Sequence, residues 1–195
     1  MYKIVAFMGK AGAGKDTLLQ ECLSLAPGEF HEIVSCTTRP PREGEIDGIN
    51  YHFLTSEEFA ERLEDGRMIE ATVFRDWCYG TSFENLNEDK INIGVFNPAG
   101  IDILNCIPDV AVLAIYITAE DKIRMLRQLN REEHPDVKEI VRRYFADEDD
   151  FASVESLLYP EVVSNDGVDD IGIVATAILN AIKKYKWPEP LGDLN

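Results

Sequence analysis

The sequence predicts an α/β protein: a parallel sheet with helices on both faces, carrying a small β-rich insertion and a helical cover. Three observations predict it. Apolar runs at 4–8, 91–96 and 110–117 are nearly continuous, as strands buried on both faces require. Helical spacing follows each run, and alternating strands and helices give an α/β fold. A glycine-rich turn ending in lysine joins the first strand to the first helix.

The elements follow in order. Helical patterns cover 16–25, the segment after Pro98, and 119–129, where Ile123, Leu126 and Leu129 repeat at helical spacing. A last one covers 168–185, with Ile171, Val174, Ile178 and Ile182 on one stripe. Two stretches break the alternation. Residues 32–88 hold short β-like runs at 32–36, 51–54 and 68–74, a Pro/Gly-rich loop, and a helix opened by the capping box Thr55-Ser56-Glu57-Glu58. Residues 127–150 are highly charged, contain Pro135, and have too few apolar residues for a core element; they read as a mobile cover. The chain is thus one domain of 195 residues. Its core is 1–31, 89–126 and 151–195, with an inserted subdomain at about 32–88 and a lid at about 127–150.

Composition narrows the function. A chain this long buries a core without disulfides or structural metal, and Cys22, Cys36, Cys78 and Cys106 show no paired spacing. No apolar run approaches the ~20 residues of a membrane span. Met1 leads straight into a strand with no leader pattern, so a cytoplasmic location is expected. The net charge of -17 disfavours nucleic acid and anionic membranes. Seven of the 19 bases lie between Lys122 and Arg143, which suggests a local anion site or an ion-paired helix face.

The strongest motif is Gly9-Lys10-Ala11-Gly12-Ala13-Gly14-Lys15-Asp16-Thr17, in the strand–loop–helix context of a P-loop. Glycines let successive N–H groups turn inward on a phosphate, and the helix N-terminus adds partial positive charge. Lys15 would reach the β- and γ-phosphates as a point charge. Ser or Thr normally follows that lysine and binds Mg²⁺; here Asp16 does, with Thr17 next. Asp16 is expected to contact Mg²⁺ directly or through water. The alternative is a charge at the first helical turn.

The next motif is Ser35-Cys36-Thr37-Thr38-Arg39-Pro40-Pro41-Arg42-Glu43-Gly44-Glu45, running on through Gly48 to Tyr51-His52-Phe53. Two arginines three apart, stiffened by prolines, suit a phosphate dianion. This segment resembles the acceptor loop of the guanylate kinase family, and the likeness extends through most of the chain. The resemblance implies ATP-dependent phosphorylation of GMP or dGMP. It makes 32–88 an acceptor-binding subdomain in which Ser35, Arg39, Arg42, Tyr51 and Tyr79 hold the acceptor phosphate. Glu70 would accept hydrogen bonds from guanine N1 and the exocyclic amine, and Thr81 would meet O6. A carboxylate only accepts, so it fits guanine's donors and opposes adenine. The alternative for Glu70 is an ion pair with Arg67 or Arg75. Arg127, Arg131 and Arg143 resemble lid arginines that would neutralise the transferring phosphoryl. The lid departs from the family in having Glu132 and Glu133 after Arg131. Asn165, in Ser164-Asn165-Asp166-Gly167, resembles the loop bordering the ATP adenine; the alternative is an ordinary Asn-Asp-Gly turn. The ATP-binding set is therefore Gly9, Ala11, Gly12, Ala13, Gly14, Lys15, Asp16, Thr17 and Asn165.

A larger departure follows the 91–96 strand. The family presents two aspartates there; this chain has Val95 and Asn97. Asn97 can hydrogen-bond a ribose or guanine but cannot act as a base. An acceptor phosphate is already anionic, so alignment and charge neutralisation suffice. His31, His52 and His134 fit no motif, and Trp187 reads as a packing anchor. Expected partners are the nucleotides ATP (with Mg²⁺) and GMP or dGMP, with no nucleic acid and no membrane; a homodimer is left open. Competing readings are a ribose 1,5-bisphosphate phosphokinase, to which Asp16 and Asn165-Asp166-Gly167 point, a broader nucleoside monophosphate kinase, and a non-catalytic guanylate kinase-like binding module.

Overall fold

The computed structural model describes residues 1–189 except 43, 75, 132, 153 and 155–160. Arg75 and Glu132, singled out above, and part of 151–195 therefore lie outside the described residues. Strand β1 (Tyr2–Met8) is fully buried from Ile4 onward, which explains its unbroken apolar run. It pairs in parallel with β7 (Ile91–Val95) on one side and β8 (Val110–Thr118) on the other. Strand β2 (Phe30–Glu32) extends the sheet beyond β7, and β9 (Glu161–Ser164) extends it beyond β8, giving the order β2-β7-β1-β8-β9.

Helices close both faces. On one side α1 (Lys15–Leu25) and α6 (Ile171–Lys184) bury Leu18, Cys22, Val174 and Ile178 against Val5, Phe7 and Ile115. Tyr185 and Trp187 pack on the same cluster, so Trp187 is the anchor expected. On the other side α3 (Pro98–Asn105) buries Ile101 and Leu104 against Ile4, Ala6 and Met8. Each large apolar side chain so buried contributes about 1.5–3 kcal/mol. Asn97 starts α3: its Oδ1 accepts the Gly100 N–H at 2.7 Å, and Pro98 occupies the first turn, where a missing N–H costs nothing.

A second sheet, β4-β3-β6-β5, comes from β3 (Cys36–Thr37), β4 (His52–Phe53), β5 (Met68–Phe74) and β6 (Trp77–Ser82). Helix α2 (Ser56–Glu64) packs on it through Phe59. The capping box forms as expected: Thr55 Oγ1 accepts from Glu58 N at 3.1 Å and Glu58 Oε2 from Thr55 N at 2.8 Å.

Three details differ from the sequence reading. The run at 32–36 is not one strand. Ile33 N still donates to Ile93 O in the first sheet, whereas Ser35 O already accepts from His52 N in the second, so the chain changes sheets across 33–35. Strand β9 gave no signal because it is a largely exposed edge strand without an apolar alternation. Helix α4 (Asp121–Leu129) has the expected period but buries Arg124, leaving Leu126 exposed. The charged cover contains α5 (Val137–Asp150), whose buried residues are Ile140 and Asp147. Ionic contacts attach this helix where apolar ones are few. Among the described residues no helix is long and apolar enough to cross a membrane.

Candidate active site

The phosphate loop leaves β1 at its C-terminal end. Gly12 (φ 80°) and Gly14 (φ 92°) take left-handed conformations, which L side chains adopt only with strain. Space forbids a side chain as well. A Cβ on Gly12 would run into the Arg124 carbonyl, and one on Gly14 would lie 2.5 Å from Asn165 Nδ2. The loop's carbonyls are held by side-chain donors. Arg124 Nε donates to Ala11 O at 3.2 Å. Arg127 Nη1 donates to Gly12 O at 3.3 Å and Ala13 O at 3.2 Å, and Asn165 Nδ2 donates to Ala13 O at 2.8 Å. Arg127 Nη2 also donates to Asn165 O at 2.8 Å. Arg127 and Asn165, expected at the nucleotide, thus brace the loop backbone, and Arg127 also lines the cleft.

Lys15 opens α1, and its Nζ lies 3.7 Å from Asp16 Oδ2. The Asp16 side chain is 78% exposed on the cleft wall beside Thr17. No group of three or more His, Cys, Asp or Glu residues suited to a metal ion occurs among the described residues. An exposed carboxylate at the head of the helix after this loop fits Mg²⁺ held mainly by nucleotide and water, with Asp16 as the protein ligand.

A cleft of about 970 Å³ runs from this loop to the second sheet. Ser35, Arg39, Arg42, Tyr51 and Tyr79 line its far wall, and Arg131 and Arg143 lie along it beside Arg127. Arg39 is pinned: Nη2 donates to Glu45 at 2.9 Å, and its guanidinium lies 5.4 Å from the Tyr51 ring centre. Burial pushes the Tyr51 phenol up to about 12, with Asp16 adding to the shift. Burial also lowers the Arg42 pKa, and the neighbouring Arg143 and Arg39 lower it further. Arg42 is thus crowded by neighbouring cations, which favours an incoming dianion beside it. Arg143 is partly offset by Glu139, which accepts from its Nε at 2.9 Å.

A smaller cavity of about 240 Å³ adjoins the cleft and shares Lys15, Arg42, Tyr79 and Arg143 with it. Glu70 and Asn97 are on its wall. Glu70 is 7% exposed. Burial pushes its carboxyl up to about 7, partly offset by the Thr81 hydroxyl and N–H beside it. The ion-pair alternative for Glu70 is not the arrangement of Arg67, which pairs with Asp65 at 3.1 Å. Thr81 faces Glu70 across the β5–β6 ladder but is fully buried and lines neither cavity. Thr72 does line the small cavity, and its hydroxyl accepts from Asn97 Nδ2 at 2.9 Å. Asn97 therefore spends both ends of its amide on the protein. Sequence reasoning missed Thr72 and Asp147 on this wall. Thr72 was legible in principle, since it shares a strand with Glu70 at a spacing of two and so faces the same side.

A glycine-rich loop at the C-terminal end of the central strand of a parallel sheet thus faces an arginine-lined pocket across one cleft. The guanylate kinase family model matches residues 1–182, and the chain belongs to that family. A guanylate kinase of Streptococcus mutans serotype c is 44% identical over 85 residues, covering 44% of this chain and 40% of the relative. One from Streptococcus pyogenes serotype M3 is 42% identical over the same length and shares of chain. The matched stretch therefore spans 40% of the length of these curated relatives. The crystal structure of guanylate kinase from Anaplasma phagocytophilum has the same fold, with a TM-score of 0.63 at 22% identity over 93% of this chain and 85% of that one.

Proposed function

We propose that the protein is a nucleoside monophosphate kinase that transfers the γ-phosphoryl group of ATP to GMP or dGMP. One observation carries the guanine assignment: Glu70, a buried carboxylate on the wall of the small cavity, reached from the cleft that also holds Lys15. A carboxylate in such a place suits a base that presents two adjacent donors, and guanine's Watson–Crick edge does so.

The acceptor phosphate is held by Arg39, Arg42, Ser35 and the Tyr51 and Tyr79 hydroxyls, with the base directed toward Glu70. Thr81 stands beside that carboxylate, fully buried and lining neither cavity, so it does not reach O6 in this arrangement. On the donor side Lys15 and the loop amides hold the β- and γ-phosphates. Asp16 would hold Mg²⁺, which when bound neutralises charge on the phosphates. An oxygen of the acceptor phosphate attacks the γ-phosphorus. The bond from that phosphorus to the β–γ bridging oxygen breaks, and ADP leaves. Arg131 and Arg143 neutralise the equatorial oxygens as the lid formed by 127–150 closes over the subdomain 32–88, excluding water. Val95 and Asn97 supply no base at this strand end, and an anionic acceptor needs none there.

The test is ADP release from Mg-ATP with GMP, dGMP, AMP, CMP, UMP, dTMP and ribose 1,5-bisphosphate as acceptors. Turnover confined to GMP and dGMP is expected. Turnover with ribose 1,5-bisphosphate alone would transfer the function to a sugar-phosphate kinase. GMP binding without turnover would leave a binding module.

A further inference from the structure

Arg124 matches no motif, yet it is the most buried charged residue among those described, at 2% exposure. Burying a guanidinium is costly unless its surroundings compensate it. Its Nη1 donates to Asp121 Oδ1 at 2.8 Å, and its Nη2 lies 3.5 Å from Asp147 Oδ2. Its guanidinium also lies 5.4 Å from the Tyr144 ring centre. Its Nε is given to the Ala11 carbonyl. Asp147, buried in turn on α5, accepts the Ala11 N–H at 2.6 Å. One ion pair between α4 and α5 therefore holds both polar groups of a single phosphate-loop residue. The neighbouring Glu148 takes the Lys10 ammonium at 2.6 Å, so Lys10 and Ala11 are both tied to α5.

This arrangement bears on anion binding. A loop accepts phosphate through its N–H groups only while its carbonyls point elsewhere. The Gly12 and Ala13 carbonyls are drawn off by Arg127 and Asn165, both already expected at the site. The Ala11 carbonyl depends on Arg124, with a longer bond from Gln128 at 3.4 Å. We infer that Arg124 is a positioning residue for the phosphate loop. Paired with Asp147, it fixes the Ala11 peptide and thereby sets affinity for the donor triphosphate without touching it. The inference rests on the donor half of the proposed function.

Removing Arg124 alone would strand Asp147 as a buried charge, so the decisive comparison is made with that charge already absent. Asp147→Asn keeps an oxygen for the Ala11 N–H. Adding Arg124→Met to it removes only the guanidinium. The double variant is expected to bind Mg-ATP at least about tenfold more weakly than Asp147→Asn, the worth of one charge-assisted hydrogen bond. Calorimetry with GMP should differ by less than about twofold between these two proteins, since both carry the Asp147 change and Arg124 lines neither cavity. Amide hydrogen exchange at residues 9–16 should accelerate in the double variant, while exchange in β7 and β8 stays unchanged. Arg124→Lys in the otherwise native chain is the second comparison. It keeps the charge but not the forked geometry, and it too should lose Mg-ATP affinity with GMP affinity retained. Equal Mg-ATP affinity in Asp147→Asn and the double variant, or a parallel loss for GMP, would overturn the inference. Wild-type protein that fails to bind Mg-ATP would overturn it together with the donor reading. Mg-ATP binding without GMP turnover would overturn the acceptor reading alone and leave this inference standing.

Discussion

Replacing Glu70 with glutamine separates what this carboxylate costs the fold from what it gives to recognition. In the unfolded chain its pKa lies near the ordinary 4.5, and in the folded chain burial pushes it up to about 7. The folded state therefore binds more protons between these two values. The neutral acid is accommodated fully below the lower value. Stability is lost as pH rises toward the folded pKa, and the loss levels off above it. At pH 8 the native chain carries a buried carboxylate at a cost of about 3 kcal/mol. Glutamine has nearly the same shape and stays neutral, so Glu70→Gln should be the more stable protein there. The gain should be roughly 6–12 °C in melting temperature for a chain of this size. The advantage should shrink to under about 1 kcal/mol at pH 5, where the native carboxyl is protonated. Thermal unfolding at pH 5, 6.5 and 8 measures this directly. Recognition should move the other way. The amide offers one acceptor where guanine needs two, and its NH₂ opposes a guanine donor, so GMP affinity should fall by about a hundredfold. Native GMP affinity should itself rise with pH through 7 as the carboxyl ionises. A Glu70→Gln protein that gains no stability at pH 8, or gains equally at every pH, would refute the burial argument.

Other perturbations test the remaining parts of the site. Lys15→Met should lower kcat by more than about a hundredfold in the ADP-release assay, because the loop's other ammonium, Lys10, is taken by Glu148. Gly14→Ala should cost about 1–2 kcal/mol from its left-handed conformation alone. It should also weaken Mg-ATP binding by pressing on Asn165, which calorimetry and thermal unfolding would report together. Arg42→Met should raise KM for GMP by at least about tenfold with KM for ATP unchanged. Equal changes in both would place Arg42 outside the acceptor pocket. Asp16→Ala should raise the Mg²⁺ concentration for half-maximal rate by several-fold at fixed ATP. An unchanged Mg²⁺ requirement would reduce Asp16 to a first-turn charge.

What the sequence made legible was the part that local physics dictates. The phosphate loop was readable because its turn needs glycine at Gly12 and Gly14 whatever surrounds it. Strands β1, β7 and β8 were readable because a sheet covered on both faces keeps their runs almost wholly apolar, with Asn92 of β7 the buried exception. The acceptor loop and Glu70 came from family likeness, since two arginines and a lone acid have no local signature. Strand β9 was hidden because an exposed edge strand obeys no apolar alternation. Arg124 and Asp147 were hidden for a different reason. On α4, Ile123, Leu126 and Leu129 mark an apolar stripe, yet the helix turns Arg124 inward and leaves Leu126 in solvent. That choice cannot be read from the period, because its compensation comes from Asp147 on another helix and from a carbonyl more than a hundred residues earlier. The same pair turns an acidic, apolar-poor segment, which composition alone describes as a loose cover, into a helix anchored on the phosphate loop. Charge buried between distant segments is thus both the least readable feature of this chain and the one that determines how α5 and the glycine-rich loop are joined.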